Sequence, residues 1–241
     1  RDTDRSRGLG DVYKRQNQSL TGGEKSWLEE HGDIRMGFLN NDPAIFSMDE
    51  TTGKLTGMLP EYVSYAKDCL GNQTLKFNIQ DYDDYDEMLQ ALQNHEIDMI
   101  FYAGRNPDIA EKKGYALTNT AWTYSLMAVT DEKNFDEDKV YTVAVPKEKE
   151  ALKQQLTFSY PQWNLVDYDS FEEAAEMITN EKADCFLMGA SQAMVYDNNR
   201  DFKSVPLTKT MEACFAVRGG EGSLLSIPVS YTHLRAHETD Q

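Results

Sequence analysis

The stretch YDEMLQALQNHEIDMIFY, from Tyr85 to Tyr102, decides how this chain folds. Met88, Leu89 and Leu92 fall on one face at helical spacing, which predicts a helix over Tyr85 to His95. Asp98 to Tyr102 (DMIFY) is a short, mostly apolar run, which predicts a buried strand. A helix leading into a buried strand across a few residues is the second half of a β-α-β unit.

Working outward toward the N-terminus, Leu75 to Ile79 alternates as a strand. Met58 to Leu70 places Leu59, Tyr62, Val63, Ala66 and Leu70 at helical spacing, with Pro60 near the first turn and Gly71 just past the end. Asp49 to Gly53 reads as a hairpin turn. Ile34 to Leu39 is an apolar strand running into the polar loop Asn40 to Pro43, and KSWLEEHG (Lys25 to Gly32) is a short helix.

Toward the C-terminus a second set follows. Val140 to Val145, Trp163 to Tyr168 and Asp184 to Met188 are strands, alternating with helices at Lys147 to Gln155, Phe171 to Thr179 and Ala190 to Asp197. Such alternation implies right-handed crossovers and largely parallel sheets covered on both faces. Ala121 to Val129 and Met211 to Arg218 are β-like and stand where the chain passes between the two sets, which predicts a two-strand hinge. Ser223 to Ile227 starts another helix. No internal repeat or low-complexity segment is evident.

Both ends read as something other than evolved protein. The codons TCT TAT ACA CAT CTC CGA GCC CAC GAG A spell Ser230 to Glu238, and the opposite strand of the same duplex spells Ser6 to Lys14. That duplex resembles the adaptor of transposase-based sequencing libraries. Residues 1–16 and 228–241 are therefore expected to be adaptor-derived, and 17–227 to be an interior piece of a longer protein, truncated at its C-terminus.

Composition narrows the function. The chain carries 41 Asp+Glu against 24 Lys+Arg, a formal charge of −17, and the two tails together hold six Lys+Arg against five Asp+Glu, so the part between them is slightly more acidic still. This opposes a phosphate backbone, and no nucleic-acid partner is expected. The three cysteines, Cys69, Cys185 and Cys214, have no zinc or disulfide spacing and read as buried thiols. Of the four histidines only His31 and His95 lie outside the tails, which starves catalytic triads and metal centres. No apolar run approaches the roughly 20 residues of a membrane helix. DYDDYDE (Asp81 to Glu87) lacks the central glycine and distal glutamate of an EF-hand loop, and its acids suit a helix start. Gly219 to Ser223 lacks a P-loop lysine. No cofactor, no metal and no enzymatic activity are expected.

Several short motifs in order carry a resemblance. They are Ile34-Arg35-Met36-Gly37, Phe46 followed by Gly53 to Gly57, Tyr85 opening its helix, and Glu96 to Ile100. Thr142 to Val145 and Ala183-Asp184 complete the set. Together they resemble the extracellular solute-binding proteins of family 3, which have the type II periplasmic-binding-protein or flytrap fold. The lead-in Leu20-Thr21, Glu24-Lys25, Trp27-Leu28 and His31 is similar to the segment before flytrap domains in sensor kinases.

The resemblance implies an α/β fold of two lobes. Each would be a mixed, mostly parallel sheet flanked by helices, with a two-strand hinge between. Lobe 1 would span 17–121, lobe 2 122–210, and 211–227 would return to lobe 1. The ligand would lie near Phe46, Tyr85, Tyr102, Arg105, Lys147, Lys149, Met188, Gly189 and Ser191. Tyr85 either stacks on ligand or anchors a helix start, and Phe46 is either a contact or a core residue. Arg105 either grips an anion bidentately or is a solvated loop arginine.

The departures from the family pattern are specific. Its Thr-x-x-Arg carboxylate clamp aligns with Pro107 and Ala110, its Gly-Thr helix start with Glu148-Lys149, and its ammonium-binding aspartate with Gly189. A standard amino-acid ligand is therefore not expected. The resemblance then implies an extracytoplasmic sensor domain, closing on a small molecule and membrane-attached through signalling domains of the full-length chain. The alternative is the substrate-binding protein of an ABC importer, with a permease as partner.

Overall fold

The computed structural model describes residues 26, 29–69, 76–196 and 199–220. By packing these divide into two units, one running to Phe101 and resuming at Val217, the other spanning Tyr102 to Ala216. The two tails and the helix expected at Ser223 to Ile227 lie outside the described residues, as do Lys25, Trp27 and Leu28 of the lead-in, whose residues 29–31 are helical.

In the first unit, β1 (Ile34–Leu39) sends Ile34, Met36 and Phe38 into the core. The expected hairpin is present. β2 (Ser47–Met48) and β3 (Leu55–Thr56) pair antiparallel, and the Gly53 N–H donates to the Asp49 carbonyl at 2.7 Å. Helix α1 (Met58–Cys69) buries Leu59, Tyr62 and Ala66, one face of the helical period, and Pro60 costs nothing in the first turn. β4 (Phe77–Tyr82) lies parallel to β1 and runs past its expected end at Ile79. Helix α2 (Tyr85–Gln93) starts at Asp84, whose carboxylate accepts the Glu87 N–H at 3.3 Å. β5 (Met99–Gly104) joins β1 in parallel through Met36 opposite Met99.

The remaining elements begin with a difference. Where a loop was expected around Arg105, Asn106-Pro107-Asp108 opens helix α3 (Pro107–Lys113): Asn106 caps it by accepting the Ile109 N–H at 3.1 Å, Pro107 occupies the first turn and Gly114 ends it at φ 77°. β6 (Tyr115–Leu117) follows. Ala121 to Val129 is two strands, β7 (Trp122–Tyr124) and β8 (Leu126–Thr130), which belong to different sheets. Then come β9 (Thr142–Pro146), α4 (Glu150–Ser159), β10 (Asn164–Tyr168), α5 (Phe171–Thr179) and β11 (Cys185–Gly189). The helix expected over Ala190 to Asp197 is a four-residue turn, α6 (Ala190–Ala193), continued by a 3-10 turn at Met194–Tyr196. β12 (Lys203–Pro206) was not anticipated, and β13 (Met211–Arg218) was.

One sheet has the order β4-β1-β5-β13-β6, with β7 pairing β13 antiparallel; the other has the order β10-β9-β11-β8-β12. The second is mixed, since β8 runs antiparallel to β11 and β12. Its three inner strands, β9, β11 and β8, read as apolar runs because both faces are covered. Val143, Val145, Cys185 and Leu187 belong to one core cluster, while Ala144, Phe186 and Met188 belong to another.

An internal repeat that was not expected is present in the structure. Residues 77–103 and 164–189 form the same strand-helix-strand unit. Asp84 and Ser170 cap the helices by accepting the N–H of Glu87 and Glu173. Asn94 and Asn180 end them, and His95 and Glu181 follow in left-handed conformation at φ 62° and 57°. Asp98 and Asp184 then accept the N–H of the neighbouring parallel strand, from Arg35 and Thr142, each at 2.8 Å. Asn78, Asp81, Tyr82, Asp83, Glu87, Asn94 and Asp98 recur as Asn164, Asp167, Tyr168, Asp169, Glu173, Asn180 and Asp184, so residue matches as well as capping geometry mark the repeat.

The copies differ around that carboxylate. Asp98 is fully buried and also contacts the Arg35 guanidinium and the Arg218 guanidinium, each at 3.2 Å, and His31 Nε2 at 2.9 Å. Burial pushes its carboxyl up, but the Arg35 N–H, the Arg35 guanidinium and His31 outweigh it and hold the group below its ordinary 3.8. Asp184 is half-buried and has no such cations in contact among the described residues.

Candidate functional site

Each unit is considered by itself. In the first, the expected residues are Phe46 and Tyr85. Phe46 is half-buried, its ring tilted on Phe38 with centroids 4.9 Å apart, which ties it to the face of β1. Tyr85 is buried at the first position of α2, just beyond the end of β4. Between them Asn40 leaves β1 and its amide donates to Asp83 at 2.6 Å and Asp81 at 3.2 Å. The acidic run Asp81 to Glu87 is thus employed in loop bonding and helix capping.

In the second unit, the end of β5 gathers Tyr102, Arg105 and a polar network. Tyr102 sets its ring edge-on against Trp122 at 4.8 Å. Arg105 is not a solvated loop arginine: Nη2 donates to the Thr118 carbonyl at 2.7 Å, and Nε and Nη2 donate to Thr120 Oγ1 at 3.3 and 3.2 Å. Thr120 in turn donates to Glu212 Oε1 at 2.9 Å, and the other carboxylate oxygen stands 3.9 Å from Arg105 Nε. The guanidinium is balanced by a carboxylate of its own chain.

The strand end rests directly on helix α4. A methyl group added at Gly104 would sit 1.9 Å from the Ala151 carbonyl oxygen, so only glycine permits this approach. Asn106 donates from Nδ2 to the Gln154 carbonyl at 2.8 Å. Gln155, on the buried face of α4, accepts from the backbone N–H of Arg105 at 3.0 Å and of Glu212 at 3.2 Å.

Lys147 and Lys149 were expected at a helix start, but α4 begins at Glu150. The delay has a backbone cause: Glu148 adopts φ 65°, a left-handed conformation outside any right-handed helix. Lys147 is exposed, with Nζ 3.8 Å from Asp169, and Lys149 occupies the cap position without a side-chain capping bond. Glycine relieves the left-handed strain, so Glu148→Gly is expected to stabilise the chain by about 1 kcal/mol, read as a rise in urea midpoint. A fall in the midpoint would show that the Glu148 side chain earns more than its backbone costs.

Met188, Gly189 and Ser191 sit where β11 ends. Met188 is buried in a core cluster, Gly189 caps α6, and Ser191 lies within that short helix. In the repeat they stand where Tyr102, Ala103 and Arg105 stand in the first copy. Structure therefore sets Tyr102 and Arg105 at one strand end, Met188, Gly189 and Ser191 at a second, and leaves Lys147 and Lys149 on the loop before α4. Gln155, Thr118, Thr120 and Glu212 escaped sequence reasoning. The one available signal was the pair Gln154-Gln155 on an otherwise apolar helix face, since buried amides require partners.

The positions aligned with the family's clamp are occupied otherwise. Pro107 opens α3 and Ala110 is buried beneath it. The thiols of Cys185 and Cys214 are free and buried; burial pushes both up, Cys214 to about 12, far from a reactive range.

No family model matches the sequence, and no curated protein does. Solved structures do. A double mutant of the BvgS VFT2 domain of Bordetella pertussis gives a TM-score of 0.62 at 22% identity, covering 91% of this chain and 96% of that one. The periplasmic VFT2 domain itself gives 0.59 at 22%, covering 88% and 92%. The substrate binding protein of an amino acid ABC transporter gives 0.52 at 21%, covering 87% and 96%. An ancestral amino acid-binding protein, a precursor of cyclohexadienyl dehydratase, gives 0.51 at 17%, covering 89% and 93%. Two α/β units, two flanked sheets and these likenesses together define the fold: it is that of the two-lobed periplasmic flytrap domains.

Proposed function

We propose that this chain is a small-molecule-binding flytrap domain of a bacterial membrane signalling protein, working outside the cytoplasm by closing on its ligand. The lobes correspond to 17–121 and 122–210, with β7 and β13 as the hinge pair and 211–227 returning to the first lobe. The observation that carries this reading is the repeated strand-helix-strand unit, each copy ending in a strand whose end offers polar backbone, Tyr102 to Arg105 in one and Met188 to Ser191 in the other. A ligand shifts such a two-state device only through differential affinity, and going from 1:99 to 99:1 takes about 5.5 kcal/mol.

Sensing is favoured over import of amino acids because Pro107, Ala110 and Gly189 supply no carboxylate clamp and no ammonium acceptor. The reading involves binding without turnover. A thermal-shift panel of the standard amino acids is expected to be flat, since only a binder of the native state raises the melting temperature. A clear shift with any of them overturns the ligand part of this reading. The parent gene tests the rest: downstream of the domain it is expected to encode a membrane span and a signalling domain, and a gene ending soon after the domain points to an importer's binding protein.

A further inference from the structure

We propose that Gln155 is a built-in guest: its carboxamide oxygen fills the backbone N–H pair of Arg105 and Glu212 that would otherwise receive an oxygen of a small molecule. The site it fills is selective for neutral amides. This rests on the flytrap reading and names the chemistry and regulation of its second-unit site.

Four observations carry it. Gln155 is buried, beside Gln154, on a helix whose other buried residues, Leu152 and Leu156, are apolar core. Its oxygen receives two backbone donors far away in sequence, and its Nε2 donates to Ser159 Oγ at 3.1 Å, which fixes the amide's orientation. The Arg105 N–H is shared with the Glu212 carbonyl at 3.2 Å, so the pair lies where β5 and β13 run side by side. Finally, Gly104 admits the helix backbone so closely that the amide is held against both strands.

The neighbouring charges decide what could replace it. Arg105 already faces Glu212, bridged by Thr120. An incoming carboxylate would meet the Glu212 carboxylate without a guanidinium left to offset it. A neutral amide oxygen brings the same acceptor geometry and no charge. An amide ligand must displace the side chain already in place, so the wild-type seam stays latched toward weak guests.

The experiment is chemical rescue. Gln155→Ala removes a fragment the size of acetamide, takes the side-chain acceptor from the Glu212 N–H and leaves the Arg105 N–H with the Glu212 carbonyl alone. Acetamide is expected to raise the melting temperature of the full Gln155→Ala chain by about 1–2 °C near its own Kd. It leaves wild type and Gln155→Leu, where the space is filled, unchanged, and acetate gives the smaller effect on Gln155→Ala. A folded Gln155→Ala that ignores acetamide overturns the proposal, as does an equal response from wild type or a larger one to acetate. Should Gln155→Ala fail to fold, amide hydrogen exchange of the wild type decides. Arg105 and Glu212 are expected to be protected as deeply as Val143 and Val145, and exchange at the rate of exposed loop amides overturns the proposal. A natural ligand bound equally by wild type and Gln155→Ala would leave the flytrap reading standing and remove this one. Selective rescue with no natural ligand found would do the reverse.

Discussion

Gly104→Ala is expected to destabilise the chain by about 3 kcal/mol, a fall of roughly 6–12 °C in melting temperature for a chain of this size. The cause is local and steric. The new Cβ would lie 1.9 Å from the Ala151 carbonyl oxygen, 2.9 Å from its carbon and 3.1 Å from the Gln155 nitrogen. All three are backbone atoms, so no rotamer change relieves the clash, and β5 or α4 must move. Moving either also stretches the Asn106 to Gln154 and Arg105 to Gln155 hydrogen bonds. Scanning calorimetry checks it, and a fall below about 1 °C, equivalent to under 0.5 kcal/mol, would mean the two backbones do not approach this closely.

The second large effect belongs to Asp98. Asp98→Ala is expected to cost about 3–5 kcal/mol, because it strands the buried Arg218 guanidinium and removes the counter-charge of Arg35. Arg218 keeps its bonds to the Leu92 and Ile97 carbonyls, which soften the loss without neutralising the charge. Urea unfolding should show a lower midpoint at unchanged slope. The pH dependence has a definite sign. A carboxyl held below its ordinary 3.8 in the folded chain adds stability above 3.8, and loses it as pH falls from 3.8 through the lower folded value. The gap between wild type and Asp98→Ala should therefore persist from neutral pH down to about 3.8 and narrow between 3.8 and the lower folded value. A gap that closes between pH 7 and 5 would overturn this assignment.

Much of this architecture was legible from hydrophobic period alone. Helices α2 and α5 bury a stripe of residues at helical spacing, and β1, β9 and β11 are apolar because their surroundings are. What stayed hidden had one of two causes. Helix α3 is too short to show a stripe: only Ala110 among its residues is buried, so its start and stop signals, Asn106, Pro107 and Gly114, stood without a pattern between them. Helix α4 begins late because of one residue, Glu148, whose left-handed backbone has no signature in a non-glycine side chain.

The candidate site was harder still, because its contacts are non-local. Gln155 meets partners 50 and 57 positions away, and Asp98 meets Arg218 at a separation of 120. No spacing rule reaches that far. Tyr102 and Arg105 could be placed because they leave a strand end. Their actual companions are set by sheet order rather than by sequence neighbourhood: Trp122 for Tyr102, and for Arg105 the loop residues Thr118 and Thr120 with Glu212 from β13.

The duplicated strand-helix-strand unit makes the molecule its own control. Asp98 and Asp184 perform one shared task, holding an N–H at the start of an adjacent strand, while only Asp98 sits among cations. Matched replacements in the two copies therefore subtract the common backbone duty and leave the electrostatic remainder, a partition that ordinarily needs a second protein for reference.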